Sequence, residues 1–145
     1  MIEMAVTEEP GAPAVHYGRT QEQWDAMAEA VEEFLIEVAR SGKQTDYTAV
    51  NGRIVEEGLP AFNFYKDAER AALGALLDTV SVRSHQRNGI LLTVLVIHHD
   101  TPNDIGGGFW KMAARLGKVP PKLSAAGRLD ALVILTKEVF ARYAG

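Results

Sequence analysis

The chain has 145 residues, a formal net charge of −4 and no cysteine. Its length suits one domain with a buried core, and its hydrophobic fraction of 47% is ordinary for a globular protein. The lack of cysteine excludes disulfides, thiolate zinc sites and a cysteine nucleophile. Residues 1–20 lack the basic and apolar regions of a secretion signal, and the longest apolar run is too short to span a membrane. We therefore expect a cytoplasmic protein without a membrane partner, and the Ala-, Gly-, Val- and Arg-rich composition suggests a bacterial or phage origin.

Charge is distributed unevenly along the chain. Residues 1–58 contain twelve acidic and four basic residues, whereas residues 59–145 contain seven acidic and eleven basic residues. An anionic partner should therefore be attracted by the C-terminal part. The sequence pI of about 5.5 lies far below the value above about 9 that is typical of a dedicated nucleic-acid domain.

The N-terminal part predicts a flexible arm followed by a helix. Residues 1–18 contain Glu, Gly and Pro without periodicity and precede one globular domain at residues 19–145. Thr20 and Gln23 have capping-box spacing, and the helix should run to about Arg40. Its glutamates form either a solvated face or a surface for a protein partner. Its buried stripe is expected to contain Trp24, Met27, Val31, Phe34, Leu35 and Val38.

A second, shorter helix is expected at about residues 45–58, with an extended segment behind it. Residues 59–65 place Phe62 and Phe64 on the same side, as a short strand would. The proline in this segment removes a backbone donor, so the strand would lie at the edge of a sheet.

A third helix from Asp67 has two alternative ends. Residues 79–84 alternate like a strand and could pair with residues 90–98 through a hairpin at the Asn-Gly pair 88–89. Alternatively, the helix continues to about residue 86 and the Asn-Gly pair forms its C-cap. We favour the helix because the intervening loop is longer than a minimal hairpin turn.

Residues 90–97, with the sequence ILLTVLVI, form the longest apolar run. The absence of polar alternation and the many β-branched residues predict a strand that is buried on both faces. Such a strand needs neighbours on both sides, and the chain offers few. A second copy in a homodimer could supply the missing neighbour.

Two further helices complete the predicted fold. One spans about residues 109–116, and the other begins near Ser124. We therefore predict an α+β fold with about five helices packed on a small sheet, whose centre is the strand at about 90–98. A winged-helix arrangement is one form that this fold could take. The stripe of the last helix is expected to contain Leu129, Leu132, Val133, Thr136, Phe140 and Tyr143.

A His-His-Asp sequence follows the apolar run and is a candidate catalytic group. Alternation along a strand sends His98 and His99 to opposite faces, so they should not share one metal. One of them could act with Asp100 as an oriented general base. The alternative is a pair of polar strand-end residues that are satisfied by the backbone.

Three carboxylates could form a metal site for a small nuclease. Glu69, Asp78 and Asp100 could gather around the apolar strand as a carboxylate set of the kind that nucleases use to bind metal. The strand lacks the acid-x-Lys pair typical of restriction endonucleases, and the first two acids also suit a solvated helix face. We therefore predict no metal site and no cofactor.

Basic residues and glycines of the C-terminal part are candidate phosphate-binding groups. Free N–H groups at a helix start attract anions, but the glycine spacing here matches neither a Walker loop nor a dinucleotide fingerprint. The alternatives are a tight corner and scattered solubilising charges. The candidate nucleic-acid or anion-binding residues are Arg83, His85, Arg87, Gly106, Gly107, Gly108, Lys111 and Arg115.

Two sequence patterns carry a resemblance. Leu73-Gly74-x-Leu76-Leu77, followed by the apolar run and Gly106-x-Gly108-Phe109, resembles a pattern in small bacterial and phage proteins without a known activity. Tyr47-Thr-Ala-Val50, the Leu-Gly-Ala-Leu of residues 73–76 and a hydrophobic strand resemble the winged-helix domain of alkyltransferase-like DNA-binding proteins. The Pro-Cys-His-Arg signature is absent, so this second resemblance implies DNA contact without alkyl transfer.

These observations favour a non-enzymatic binding or regulatory protein that contacts nucleic acid through the basic surface of its C-terminal part. One alternative is a small metal-dependent nuclease or phosphodiesterase that uses the His-His-Asp strand end. Another is a protein-interaction module that uses the acidic first helix.

Overall fold

A computed structural model describes residues 16–97 and 107–144. Its described part is mostly helical, with one small two-stranded parallel sheet, which is compatible with a small α+β fold. In chain order the elements are α1 (Gln21–Arg40), β1 (Thr45–Asp46), α2 (Tyr47–Glu56), α3 (Asp67–Asn88), a 3₁₀ segment (Leu92–Leu95), β2 (Val96–Ile97), α4 (Gly107–Arg115) and α5 (Ala125–Tyr143).

The first helix is confirmed, together with its cap. The Thr20 side chain accepts a hydrogen bond from the Gln23 backbone, and the Gln23 side chain accepts one from the Thr20 backbone. Along the inward face of α1, Trp24, Met27 and Val31 enter the core, where α1 packs against α3, α2, the 3₁₀ segment and α5. This helix is therefore the central support of the fold.

The second helix is also confirmed, and its cap is Asp46, which accepts a hydrogen bond from the backbone of Ala49. The edge strand predicted at residues 59–65 is absent from the described residues. Instead, the side chain of Asn51 donates to the backbone oxygen of Phe62 and accepts from its nitrogen. A side chain therefore takes the hydrogen bonds that a neighbouring strand would have taken.

The favoured end of the third helix is confirmed. Helix α3 continues through residues 79–84 to Asn88, and Gly89 closes it with a left-handed φ of 72°. The backbone N–H of Gly89 donates to the carbonyl oxygen of His85 at 2.8 Å. A glycine suits this position because it has no Cβ to clash in the left-handed region.

The long strand predicted at 90–98 is wrong, although residues 90–96 are buried as expected. Leu92–Leu95 form a 3₁₀ segment, and only Val96–Ile97 pair, in parallel, with Thr45–Asp46. The side chain of Ser84 explains why the backbone leaves the strand path. Its hydroxyl donates to the oxygen of Ile90 at 2.8 Å and accepts from the nitrogen of Leu92 at 3.2 Å.

The predicted inward face of the last helix is confirmed in part, since Leu132 is buried and Phe140 and Tyr143 pack against the core. The Ser124 cap is confirmed, since its side chain accepts a hydrogen bond from Gly127. Leu132, Leu135 and Val139 are buried, whereas Leu129 and Val133 are exposed. Apolar residues occur on every side of α5, so the position of the core decided which of them face inward.

No helix within the described ranges has the length and hydropathy needed to cross a bilayer. Most of the predicted N-terminal arm, at residues 1–15, lies outside the described residues. Its last part packs on the first helix, because the rings of His16 and Tyr17 stack against Trp24 with centroid distances of 5.1 and 6.3 Å.

Candidate functional site

Two of the predicted phosphate-binding arginines face the acidic first helix. Arg83 binds Asp25 at 2.9 Å, and Arg87 forms an ion pair with Glu32. The two arginines are four residues apart and therefore lie on the same side of α3. Both line one cleft between α3 and α1. The cleft is lined by Glu22, Asp25, Ala26, Glu29, Glu32, Glu33, Ile36, Arg83 and Arg87.

The remaining cations lie elsewhere on the molecule. Arg115, on α4, approaches the carboxylate of Asp78 on α3 at 4.0 Å. Asp78 and Arg87 are nine residues apart, which corresponds to a rotation of about 180° around a helix. Arg115 and the Arg83–Arg87 pair therefore contact opposite sides of α3, and the structure does not gather the predicted cations on one face. His85, which is partly buried, lies two residues from each arginine and so on another side of α3.

Helix α4 presents its own exposed basic face. Gly108, Lys111 and Arg115 follow each other at steps of three and four residues, and all three are exposed. Lys111 makes no ion pair with another residue of the described part, and Gly107 is the first residue of the helix. Gly106 lies outside the described residues.

A further arginine, which the sequence also offers as part of a basic surface for phosphates, lies close to this helix. The guanidinium of Arg128, near the start of α5, lies 5.7 Å from the ring centre of the buried Trp110 on α4. Residues 105–129 contain five basic residues and no acidic residue. We call Lys111, Arg115 and Arg128 the α4 basic surface.

An apolar cleft of about 400 Å³ lies between the start of α2 and helices α3 and α4. Tyr47, Gly74 and Phe109 line it, together with the carboxyl group of Asp78. Burial raises the pKa of Asp78 above its ordinary value, and the positive charge of Arg115 offsets part of this effect. This cleft therefore combines apolar walls with one carboxyl group that ionises reluctantly.

The carboxylates considered for a metal site do not come together. Glu69 accepts hydrogen bonds from Arg19 at 2.8 and 3.1 Å, and this guanidinium lowers the pKa of the Glu69 carboxyl. Asp78 lies nine residues further along α3 and therefore on its opposite side. Within residues 16–97 and 107–144, no group of three metal-binding side chains is close enough to hold an ion.

The candidate catalytic residues His98, His99 and Asp100 lie outside the described residues, so the catalytic hypothesis stays a prediction. No family model, curated protein or solved structure matches this chain.

Proposed function

We propose that this protein is a non-enzymatic binding protein of the cytoplasm that contacts nucleic acid through the α4 basic surface. The observation that carries this proposal is the run from Ile105 to Leu129, which has no acidic residue and five cations, of which Lys118 is engaged by Glu138 at 3.0 Å. Phosphate groups attract such a surface through charge alone.

The internal ion pairs favour the α4 basic surface over the larger set of cations predicted from sequence. Arg83 and Arg87 are engaged by Asp25 and Glu32, so binding a phosphate would require them to leave these partners. Lys111 has no such partner among the described residues. Arg115 lies 4.0 Å from the carboxylate of Asp78, which is a longer contact than the 2.9 Å between Arg83 and Asp25. Gly107 and Gly108, at the start of α4, add backbone N–H groups to the same surface. The resemblance to winged-helix DNA-binding domains agrees with this proposal and stays a prediction.

Fluorescence anisotropy with labelled duplex DNA and labelled single-stranded RNA tests the proposal. We expect affinity to fall as salt increases, because binding a phosphate releases condensed counterions. In Lys111→Glu/Arg115→Glu, the logarithmic salt slope for DNA should decrease by about 2, since each phosphate contact contributes about 0.9. Arg40→Glu/Lys43→Glu is the matched control, because it changes the net charge equally at two exposed residues near the end of α1.

Three outcomes would contradict the proposal. The first is no binding at low salt, and the second is an equal loss in the two double variants. The third is cleavage of the nucleic acid in the presence of a divalent metal ion. If the His99→Ala variant lost this cleavage, the result would favour the nuclease alternative.

A protein partner at the acidic first helix is a second candidate function. Glu22, Glu29 and Glu33 are exposed along the cleft between α1 and α3 and make no ion pair with other described residues. A basic peptide would suit this surface. Binding of oligolysine that weakens in Glu29→Gln/Glu33→Gln, but not in Glu56→Gln/Glu57→Gln, would support this role.

A further inference from the structure

The outward face of α5 carries apolar side chains that no described residue covers. Leu129, Val133 and Ile134 are 49%, 46% and 58% exposed, whereas Leu132, Leu135 and Val139 on the inward side are buried. Neighbouring apolar side chains of this size on a single helix are typical of an interaction surface.

Two opposite charges are placed symmetrically on this face. Asp130 and Lys137 are exposed, and neither makes an ion pair with another residue in the described ranges. They are seven residues apart, or about two helical turns, and therefore lie on the same side of the helix. The midpoint between them falls between Val133 and Ile134, so the apolar pair occupies the centre of the face and the two charges flank it.

We propose that α5 pairs in antiparallel orientation with α5 of a second copy of this chain, around a two-fold axis between Val133 and Ile134. A two-fold contact uses the same patch on both subunits, so each residue meets the partner residue at the mirrored position. Asp130 then lies opposite Lys137 of the partner subunit, and the same pair forms again on the other side of the axis.

The other residues of the face agree with this register. The exposed Ala126 and Ala141 are also symmetric about the axis, and their small side chains allow the helices to approach closely. Val133 and Ile134 lie on either side of the axis, so Val133 is level with Ile134 of the partner subunit and each also lies beside its own copy. Because the two exposed charges are opposite in sign and flank the apolar pair, this face is complementary in charge to an antiparallel copy of itself, and this favours a second copy as the partner.

This dimer differs from the one that the sequence suggested, because residues 90–97 do not form a long strand that needs a neighbour. A single helix face is smaller than the roughly 800 Å² per partner of a standard interface. The dimer should therefore dissociate on dilution.

Sedimentation equilibrium over a dilution series tests the proposal with three variants. Asp130→Lys and Lys137→Asp should each abolish association, because each places like charges opposite one another. The double variant Asp130→Lys/Lys137→Asp should restore it. An equal mixture of the two single variants should also associate, because each supplies the charge that the other lacks. Wild-type protein that is monomeric at every concentration, or single variants that associate like the wild type, would overturn the proposal.

Cross-linking provides an independent test because the chain has no cysteine. Under mild oxidation, Ile134→Cys should form a disulfide-linked dimer, since its side chain lies beside the axis. Val55→Cys is the matched control, because Val55 is 61% exposed but lies on α2. Equal cross-linking of both variants would overturn the proposal, and so would a monomer whose α5 face binds vesicles of anionic lipid instead.

Discussion

Arg87 on α3 forms an ion pair with Glu32 on α1, and the side chain of Glu32 is only 6% exposed. The acidic first helix and the basic end of α3 are therefore internal partners, although the sequence placed them in different functional surfaces. The exposed Arg87 brings its charge to a carboxylate that has little contact with water.

We expect Arg87→Ala to lower the free energy of unfolding by about 1–3 kcal/mol, because it leaves the buried Glu32 carboxylate unpaired. The control is Arg83→Ala, whose partner Asp25 is 51% exposed, and which should cost less than about 1 kcal/mol. Urea unfolding of both variants measures the difference. Equal losses would show that the burial of Glu32 does not determine the strength of the pair.

The pair of Arg19 and Glu69 should make stability depend on pH in the acidic range. Arg19 lowers the pKa of Glu69 in the folded protein, so the ionised carboxyl stabilises the fold above its unfolded pKa of about 4.3. This contribution is lost as the pH falls through the folded pKa. Glu69→Gln should therefore be less stable than the wild type at pH 7, with a difference that shrinks on acidification. Chemical unfolding at a series of pH values checks this, and a difference independent of pH would contradict it.

Asp78 should show the opposite dependence on pH. Burial raises its pKa in the folded protein, so its contribution to stability is present below the unfolded pKa of about 3.9 and is lost as the pH rises through the folded pKa. Asp78→Asn should then be more stable than the wild type at pH 7, and the gain should disappear towards pH values near 3.9. Thermal unfolding at several pH values measures this change. A variant that is less stable at pH 7 would show that the attraction to Arg115 outweighs the burial of the carboxyl.

Two glycines should respond oppositely to alanine. Gly89 caps α3 with a φ of 72°, and Gly89→Ala should cost about 1–2 kcal/mol because a Cβ is strained in this region. Gly52 lies inside α2 with open space where a Cβ would be, and Gly52→Ala should add about 0.5–1 kcal/mol. Thermal unfolding of both variants measures these changes in the free energy of unfolding. If both variants were stabilised, or both destabilised, the prediction would be contradicted.

The helices were predictable because their signals are local. The capping pair Thr20 and Gln23, the cap Asp46 and the Asn-Gly end of α3 act within a few residues of one another. Such signals are present in the sequence and do not depend on distant partners. The inward face of α5 was predictable only in part, since its apolar residues surround the helix and only the position of the core selects among them.

In the candidate site, too, local features were predictable and contacts between distant residues were not. The sequence identified Lys111, Arg115, Arg83 and Arg87 as cations of one basic region. The acidic partners of Arg83 and Arg87 lie far away in the sequence: Asp25 is 58 residues from Arg83, and Glu32 is 55 residues from Arg87. Sequence patterns carry no information on such distant pairs, so the separation of these cations became visible only in the folded chain.

Residues 90–97 show most clearly which structural features could be predicted from the sequence and which could not. Their apolar side chains alone determined that this segment would be buried, because burial follows from the removal of apolar surface from water. The tertiary structure decided its backbone conformation, because the backbone groups of a buried segment adopt whichever hydrogen-bond partners the fold brings near. Those partners are the hydroxyl of Ser84 and the two-residue strand Thr45–Asp46, and they produce a 3₁₀ segment with a short strand instead of the predicted long one.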